Sequence, residues 1–227
     1  MSSRHPGIEL PARATLVRAV TVGLAVFVAL WVLVGIRWAP LLSLDGRAVA
    51  GAHGITVDHP WLMTVSRVVT DLGSPVTVDI VAAVLAIVAL AARRITAAVV
   101  IVVARLGELG TVAVVKLAAD RPRPAFAHPV ATANGYSFPS GHSAGSAALY
   151  GVLLLLAVPL LARGPRVAVV VIGVVFILAV ATSRVLLGVH YPSDAVAGLA
   201  IGGAWAACAA GAPIWWARAG VGRRPMG

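Results

Sequence analysis

The chain has a single cysteine, Cys208, in 227 residues. One thiol excludes an internal disulfide, and its place among alanines reads as a small packing residue. Charge is scarce too: 11% of residues are Asp, Glu, Lys or Arg, against about 25% in an ordinary soluble domain. Acid is the scarcest part, with 8 Asp and Glu against 18 Lys and Arg, for a formal charge of +10. That excess does not indicate nucleic acid as a partner. The arginines are not massed on one amphipathic or aromatic-interleaved stretch; they stand at the ends of apolar runs, as topology signals and lipid-headgroup contacts do. Internal repeats and low-complexity linkers are lacking, which favours a single domain over residues 1–227.

Apolar sequence is what the chain has in plenty. It is 60% hydrophobic, with a mean hydropathy of +0.96. Six apolar segments stand out, at about 16–36, 75–92, 95–117, 141–162, 167–187 and 194–216. Each approaches the ~20 residues that cross a bilayer. A lone span must satisfy its own backbone hydrogen bonds, so these segments are helices. The expected fold is all-α, a polytopic membrane bundle of about six transmembrane helices. Arg13 and Arg18 precede the first run as in a signal peptide. That run continues from about Ala19 to Ile36 and ends in Arg37-Trp38 without a cleavage signature, so it reads as a retained span.

Arginine asymmetry orients the bundle. Arg4, Arg13 and Arg18, then Arg93-Arg94, Arg163 and Arg166, and Arg218, Arg223 and Arg224 fall on one side of six spans, with Glu9 the one acid among them. That side is expected to be cytoplasmic, with both termini, in a plasma-membrane protein. Trp38 and Trp215-Trp216 suit the interfaces. The loops at about 37–74, 118–140 and 188–193 fall outside. The first is expected to lie along the membrane surface as one or two short helices. Gly198 and Gly202 form a small-xxx-small pair suited to close helix packing.

The polar residues with no topological role collect on the outer face in three clusters: KLAADRPRP (116–124), FPSGHS (138–143) and SRVLLGVHYPSD (183–194). Charges at the ends of apolar spans are costly and are functional candidates. Lys116, Arg123 and Arg184 are three cations, and the acids nearest in sequence, Asp120 and Asp194, are too few to neutralise them. An anion is implied, and guanidinium forks with a lysine point charge suit phosphate oxygens. Ser140, Gly141 and His142 open the fourth span, where free backbone N–H groups and the helix dipole favour an oxyanion. His190 is followed four residues later by Asp194, and Pro192 between them points to a turn before the last span. A carboxylate on one imidazole nitrogen leaves the other basic and aimed, while His142 can protonate a leaving oxygen. Two histidines and an aspartate can also bind metal, but the arginines would repel a divalent cation.

These clusters resemble the three-part signature of the type-2 phosphatidic acid phosphatases, a family that includes the vanadium haloperoxidases. Lysine, six residues and Arg-Pro matches Lys116 and Arg123-Pro124. Pro-Ser-Gly-His matches Pro139–His142. Ser-Arg, five residues, His, three residues, Asp matches Ser183, Arg184, His190 and Asp194. The resemblance covers about residues 71–205. It implies a metal-independent phosphatase without cofactor, in which His190 attacks phosphorus to form a phosphohistidine, Asp194 orients it and His142 is the general acid. Lys116, Arg123, Arg184, Ser140 and the Gly141 amide would hold the phosphoryl oxygens, in a cradle that in the family also binds vanadate.

The expected substrate is a lipid phosphate. A polyprenyl (undecaprenyl) diphosphate is the first choice, and phosphatidic acid or phosphatidylglycerophosphate is the alternative. A lipid or phosphate transporter would need no His–Asp pair, and the small six-span chain argues against a haloperoxidase. Outside the motifs, Arg121 reads as a headgroup contact and Asp120 receives no role. His5, His53, His59 and His128 read as solvated loop residues. Arg105 and Glu108, three residues apart inside the third span, read as a bridge fixing the bundle rather than a polar wall of the substrate path.

Overall fold

A computed structural model describes residues 12–220, with side chains described as far as residue 212. Arg4, His5, Glu9, Arg223 and Arg224, and the side chains of Trp215, Trp216 and Arg218, lie outside the described residues. Eight α-helices follow one another: α1 (Arg13–Gly35), α2 (Ala39–Asp58), α3 (Pro60–Leu72), α4 (Pro75–Ala91), α5 (Ile95–Ala119), α6 (Gly141–Ala157), α7 (Arg163–Leu186) and α8 (Pro192–Gly220). Among the described residues there is no strand. Among the described residues, six stretches are long and apolar enough to cross a membrane, namely α1, α3 with α4, α5, α6 with the short turn after it, α7 and α8 to Ala212. The exposed surface of these helices is largely Val, Leu and Ile, as lipid-facing surface must be.

The segment 37–74 forms two helices, α2 and α3, within the expected one or two. α3 stands against the rest of the bundle. It packs along α7 and continues into α4 through Gly73-Ser74 as one apolar stretch of 32 residues, Pro60–Ala91. Arg67 and Asp71 dilute the hydropathy of α3 and hide its continuation into α4 in the sequence. Ser74 caps α4, its hydroxyl accepting from the Thr77 N–H at 3.1 Å, and Pro75 fits the first helical turn, where no backbone donor is needed.

α8 is the central helix, packed most closely on α6 and α1. Small residues make the α6–α8 contact possible. A Cβ on Gly198 would stand 2.5 Å from the Ser140 carbonyl oxygen, and one on Gly202 would overlap the Ala144 carbonyl. The small-xxx-small pair therefore sets how near the start of α6 comes to the start of α8. Two apolar cores flank this contact. One joins Val78, Ile101, Leu149 and Val152; the other joins Phe27, Val112, Phe138 and Ile201. Arg105, buried in the bundle, donates to the buried Glu108 and, at 2.6 Å, to Asp79, whose carboxylate is half exposed. The interior bridge is thus present, with Asp79 of α4 as a third member.

Candidate active site

Connectivity brings the end of α5, the start of α6, the end of α7 and the start of α8 to one end of the bundle. The arginine pairs at 93–94 and 163–166 are left at the other. Hydrogen bonds tie the three sequence clusters together there. The Ser140 N–H donates to the Asp194 carbonyl oxygen at 3.0 Å, joining the second cluster to the third. Arg123 Nη1 lies 3.0 Å from His190 Nε2 and donates to the Val189 carbonyl at 2.8 Å, joining the first to the third. Lys116 Nζ donates to the Tyr136 carbonyl at 2.6 Å. Charge interactions link His142 with Arg184, His190, Arg123 and Lys116, so both histidines and all three cations share one neighbourhood.

His190 sits in a five-residue turn between α7 and α8. Gly188, at φ 68°, makes that turn. A Cβ there would press on the Phe126 ring at 2.9 Å and on His53 at 3.1 Å, so a larger residue is excluded on two grounds. The imidazole is 2% exposed. Its Nδ1 faces Asp194 Oδ2 at 3.5 Å and Ser137 Oγ at 3.4 Å. Its Nε2 faces Arg123, which can only donate. The tautomer follows: Nδ1 carries the hydrogen, directed at the carboxylate, and Nε2 carries the lone pair, directed toward the cations.

Asp194, in the first turn of α8 and fully buried, is held by more than its histidine. Its Oδ2 accepts from the Tyr191 N–H at 2.9 Å and from Ser137 Oγ at 2.5 Å. Its Oδ1 accepts from Arg121 Nη1 at 2.6 Å. Arg184 donates to Thr70 Oγ1 at 2.7 Å, while its Nε is buried without a partner, a donor still to be satisfied. Ser140 is committed to the cap of α6: its Oγ accepts from Ser143 Oγ at 3.0 Å and from the Ser143 N–H at 3.4 Å. A Cβ on Gly141 would meet only Val112, at 3.8 Å, so nothing crowds this residue's Cα at the start of α6.

Residues 82–217 match the PAP2 superfamily, which is 60% of the chain and includes all three clusters. The chain belongs to the PAP2 superfamily. Over 86 residues it is 38% identical to phosphatidylglycerophosphatase B of Bacillus subtilis (strain 168), an alignment spanning 37% of this chain and 41% of that protein. It is also similar to the crystal structure of a transmembrane PAP2 type phosphatidylglycerolphosphate phosphatase from Bacillus subtilis, with a TM-score of 0.76 and 26% identity, covering 86% of this chain and 96% of that one.

Around this PAP2 site the structure corrects two sequence readings. Arg121 is not a headgroup contact: it is 6% exposed, lies 4.1 Å over the Tyr191 ring, and binds Ser193 Oγ at 2.8 Å and Asp45 Oδ2 at 2.7 Å as well as Asp194. His53 is not solvated: it is buried and stacks on Phe126 at 3.9 Å between ring centroids. His59 and His128 are exposed, as expected. Asp45, Ser137 and Ser193 were not singled out from sequence. For Asp45 a signal existed, a carboxylate in the apolar stretch LLSLDG; for the two serines nothing in the sequence marks them.

Proposed function

We propose that the protein is an integral-membrane lipid phosphatase working through a phosphohistidine. The carrying observation is the polarity of His190, with its hydrogen on the Asp194 side and its lone pair on the Arg123 side. A phosphoryl group held by Arg123, Arg184 and Lys116, with the N–H groups at the start of α6, meets Nε2. The N–P bond forms as the bond to the leaving oxygen breaks, and His142 supplies that oxygen with a proton. Positive charge arising on the imidazole is met by Asp194. Water then attacks the phosphohistidine, giving inorganic phosphate and returning the lone pair to Nε2. The cations occupy the ground that a divalent ion would need, so the reaction proceeds without one.

The names of the two similar proteins favour phosphatidylglycerophosphate over the polyprenyl diphosphate ranked first on sequence. The arginines at the far end of the bundle favour a cytoplasmic side there, with termini inside and the site at the outer leaflet. The test is phosphate release by purified protein in detergent with EDTA, against phosphatidylglycerophosphate, phosphatidic acid and a polyprenyl diphosphate. Vanadate-sensitive release, with the highest kcat/KM for phosphatidylglycerophosphate, is expected. A higher value for the diphosphate would overturn the substrate, and no release from any of the three would overturn the phosphatase.

The acid limb of activity follows from burial. Removal from water pushes His190 down from 6.5 to about 4, against the hydrogen bond and charge of Asp194, and Arg123 and Arg184 push the same way as burial. Only neutral His190 carries a lone pair on Nε2, so kcat/KM rises with pH and its acid limb is expected near pH 4 rather than near 6.5. Stability moves the same way. Between those values the unfolded chain takes up the proton and the folded chain does not, so this group's contribution is lost as pH falls. A pH profile of kcat/KM checks the first expectation, and a limb at 6.5 or above contradicts it.

A further inference from the structure

We infer that Asp45 is a positioning residue for the nucleophile, acting through Arg121 on Asp194; this rests on the phosphohistidine reading. Asp45 lies on α2, 145 residues before His190 in the chain, and is 1% exposed. Its Oδ2 accepts from Arg121 Nη2 at 2.7 Å and from Ser193 Oγ at 2.5 Å, and its Oδ1 accepts from the Ser193 N–H at 3.0 Å. Arg121 spends its other arm on Asp194 Oδ1. One unbroken row therefore runs from Asp45 through Arg121 and Asp194 to His190.

The geometry of the row fixes the carboxylate that His190 needs. Arg121 anchors Oδ1, which leaves Oδ2 turned toward the imidazole, Ser137 and the Tyr191 amide. The Tyr191 ring under the guanidinium and the bond to Ser193 Oγ, a serine that Asp45 holds twice, keep that anchor from swinging. The charges matter as much as the positions. Arg121 alone would claim the whole charge of Asp194 and leave little to meet a cationic imidazole. With Asp45 on its far side, the guanidinium is shared between two carboxylates. Asp45, Arg121 and Asp194 sum to −1 beside neutral His190, and to zero once the N–P bond makes the ring a cation. Low dielectric makes that compensation strong. Neither Asp45 nor Arg121 faces the phosphoryl group, so their effect falls on the chemical step and not on substrate capture.

The experiment is steady-state kinetics and vanadate inhibition of full-length Asp45→Asn, Asp45→Glu and the double variant Asp45→Asn/Arg121→Gln, with folded protein counted by size-exclusion chromatography in detergent. For Asp45→Asn, kcat is expected to fall about 10–100-fold, the range seen when the partner orienting a functional side chain is lost. KM and vanadate affinity stay near wild type, and Asp45→Glu, which keeps the charge, recovers most of the loss. If Asp45→Asn does not yield folded protein, the double variant decides by the same split between kcat and KM: it keeps the sum beside His190 at −1 but frees Asp194 Oδ1 from its anchor, so a fall in kcat there reads the positioning of the carboxylate alone. Wild-type kcat per folded molecule in these variants overturns the inference. So does a loss of rate matched by equal losses in KM and vanadate affinity, which would show a collapsed site and not a mis-set nucleophile. The phosphohistidine reading has its own control: His190→Ala at wild-type turnover would remove that reading, whereas an inactive His190→Ala beside a fully active Asp45→Asn would remove this inference alone.

Discussion

His190→Ala is expected to abolish phosphate release, lowering kcat on the order of 10⁴-fold or more, the size of loss that follows removal of an attacking group. The reason lies in what remains. Without the imidazole, Arg123, Arg184 and Lys116 still surround the place proposed for the phosphoryl group, and Asp194 still accepts from Ser137 and the Tyr191 amide. A site of this kind goes on binding and stops reacting. Vanadate and substrate affinity should therefore change far less than kcat. A comparable loss in both would mean that His190 serves chiefly to hold the fold, and unimpaired turnover would mean that another group attacks. Single-turnover rates at saturating lipid phosphate separate these cases.

Arg121→Met is expected to have the largest effect on stability. The side chain is 6% exposed and stands between two carboxylates, Asp45 at 1% and Asp194 at 0%. Removing it leaves two buried negative charges facing each other with their central donor gone. Breaking one member out of a buried ionic group costs about 3–5 kcal/mol, which for a chain of this size lowers the melting temperature by on the order of 10 °C. Asp45→Asn/Arg121→Gln, which discharges the pair together, should recover much of that loss, because no charge is then stranded. Thermal unfolding in detergent, followed for both variants and wild type, checks the order. An Arg121→Met protein as stable as wild type would contradict the buried network.

These two residues also show where the sequence was legible and where it was not. His190 was readable because a histidine and an aspartate between two apolar runs have no topological reason to be there, and because the spacing to Arg184 and Asp194 is fixed within one short segment. The helices were readable for a similar reason: hydropathy is a local property. The expected segments at 75–92, 95–117 and 141–162 lie within a few residues of α4, α5 and α6 with its following turn.

Arg121 fails both conditions. DRPRP offers two Arg-Pro frames, and only the second stands at the right distance from Lys116. The first then looks like one more interfacial arginine, since its burial depends on Asp45, 76 residues away. Asp45 was obscured in turn because α2 reads as an amphipathic surface helix when nothing shows what covers its polar side. Ser137 is a plain loop serine until the fold sets it between His190 and Asp194. His53 was misread for the same reason, since the Phe126 ring that buries it comes from the loop before α6. What the sequence carried was the chemistry of each motif segment; what it withheld was the contacts made to them from segments that carry no motif, Asp45 to Arg121 and His53 to Phe126 among them.

The account depends on where the phosphoryl group is held during turnover. The direct measurement is to stop the enzyme with alkali while it hydrolyses a radiolabelled lipid phosphate, digest it, and map the labelled peptide. The prediction is label on the peptide containing His190, stable in alkali and lost in acid as an N–P bond is, and absent from His190→Ala. Label on His142, or steady phosphate release with no labelled protein at any time, would contradict it.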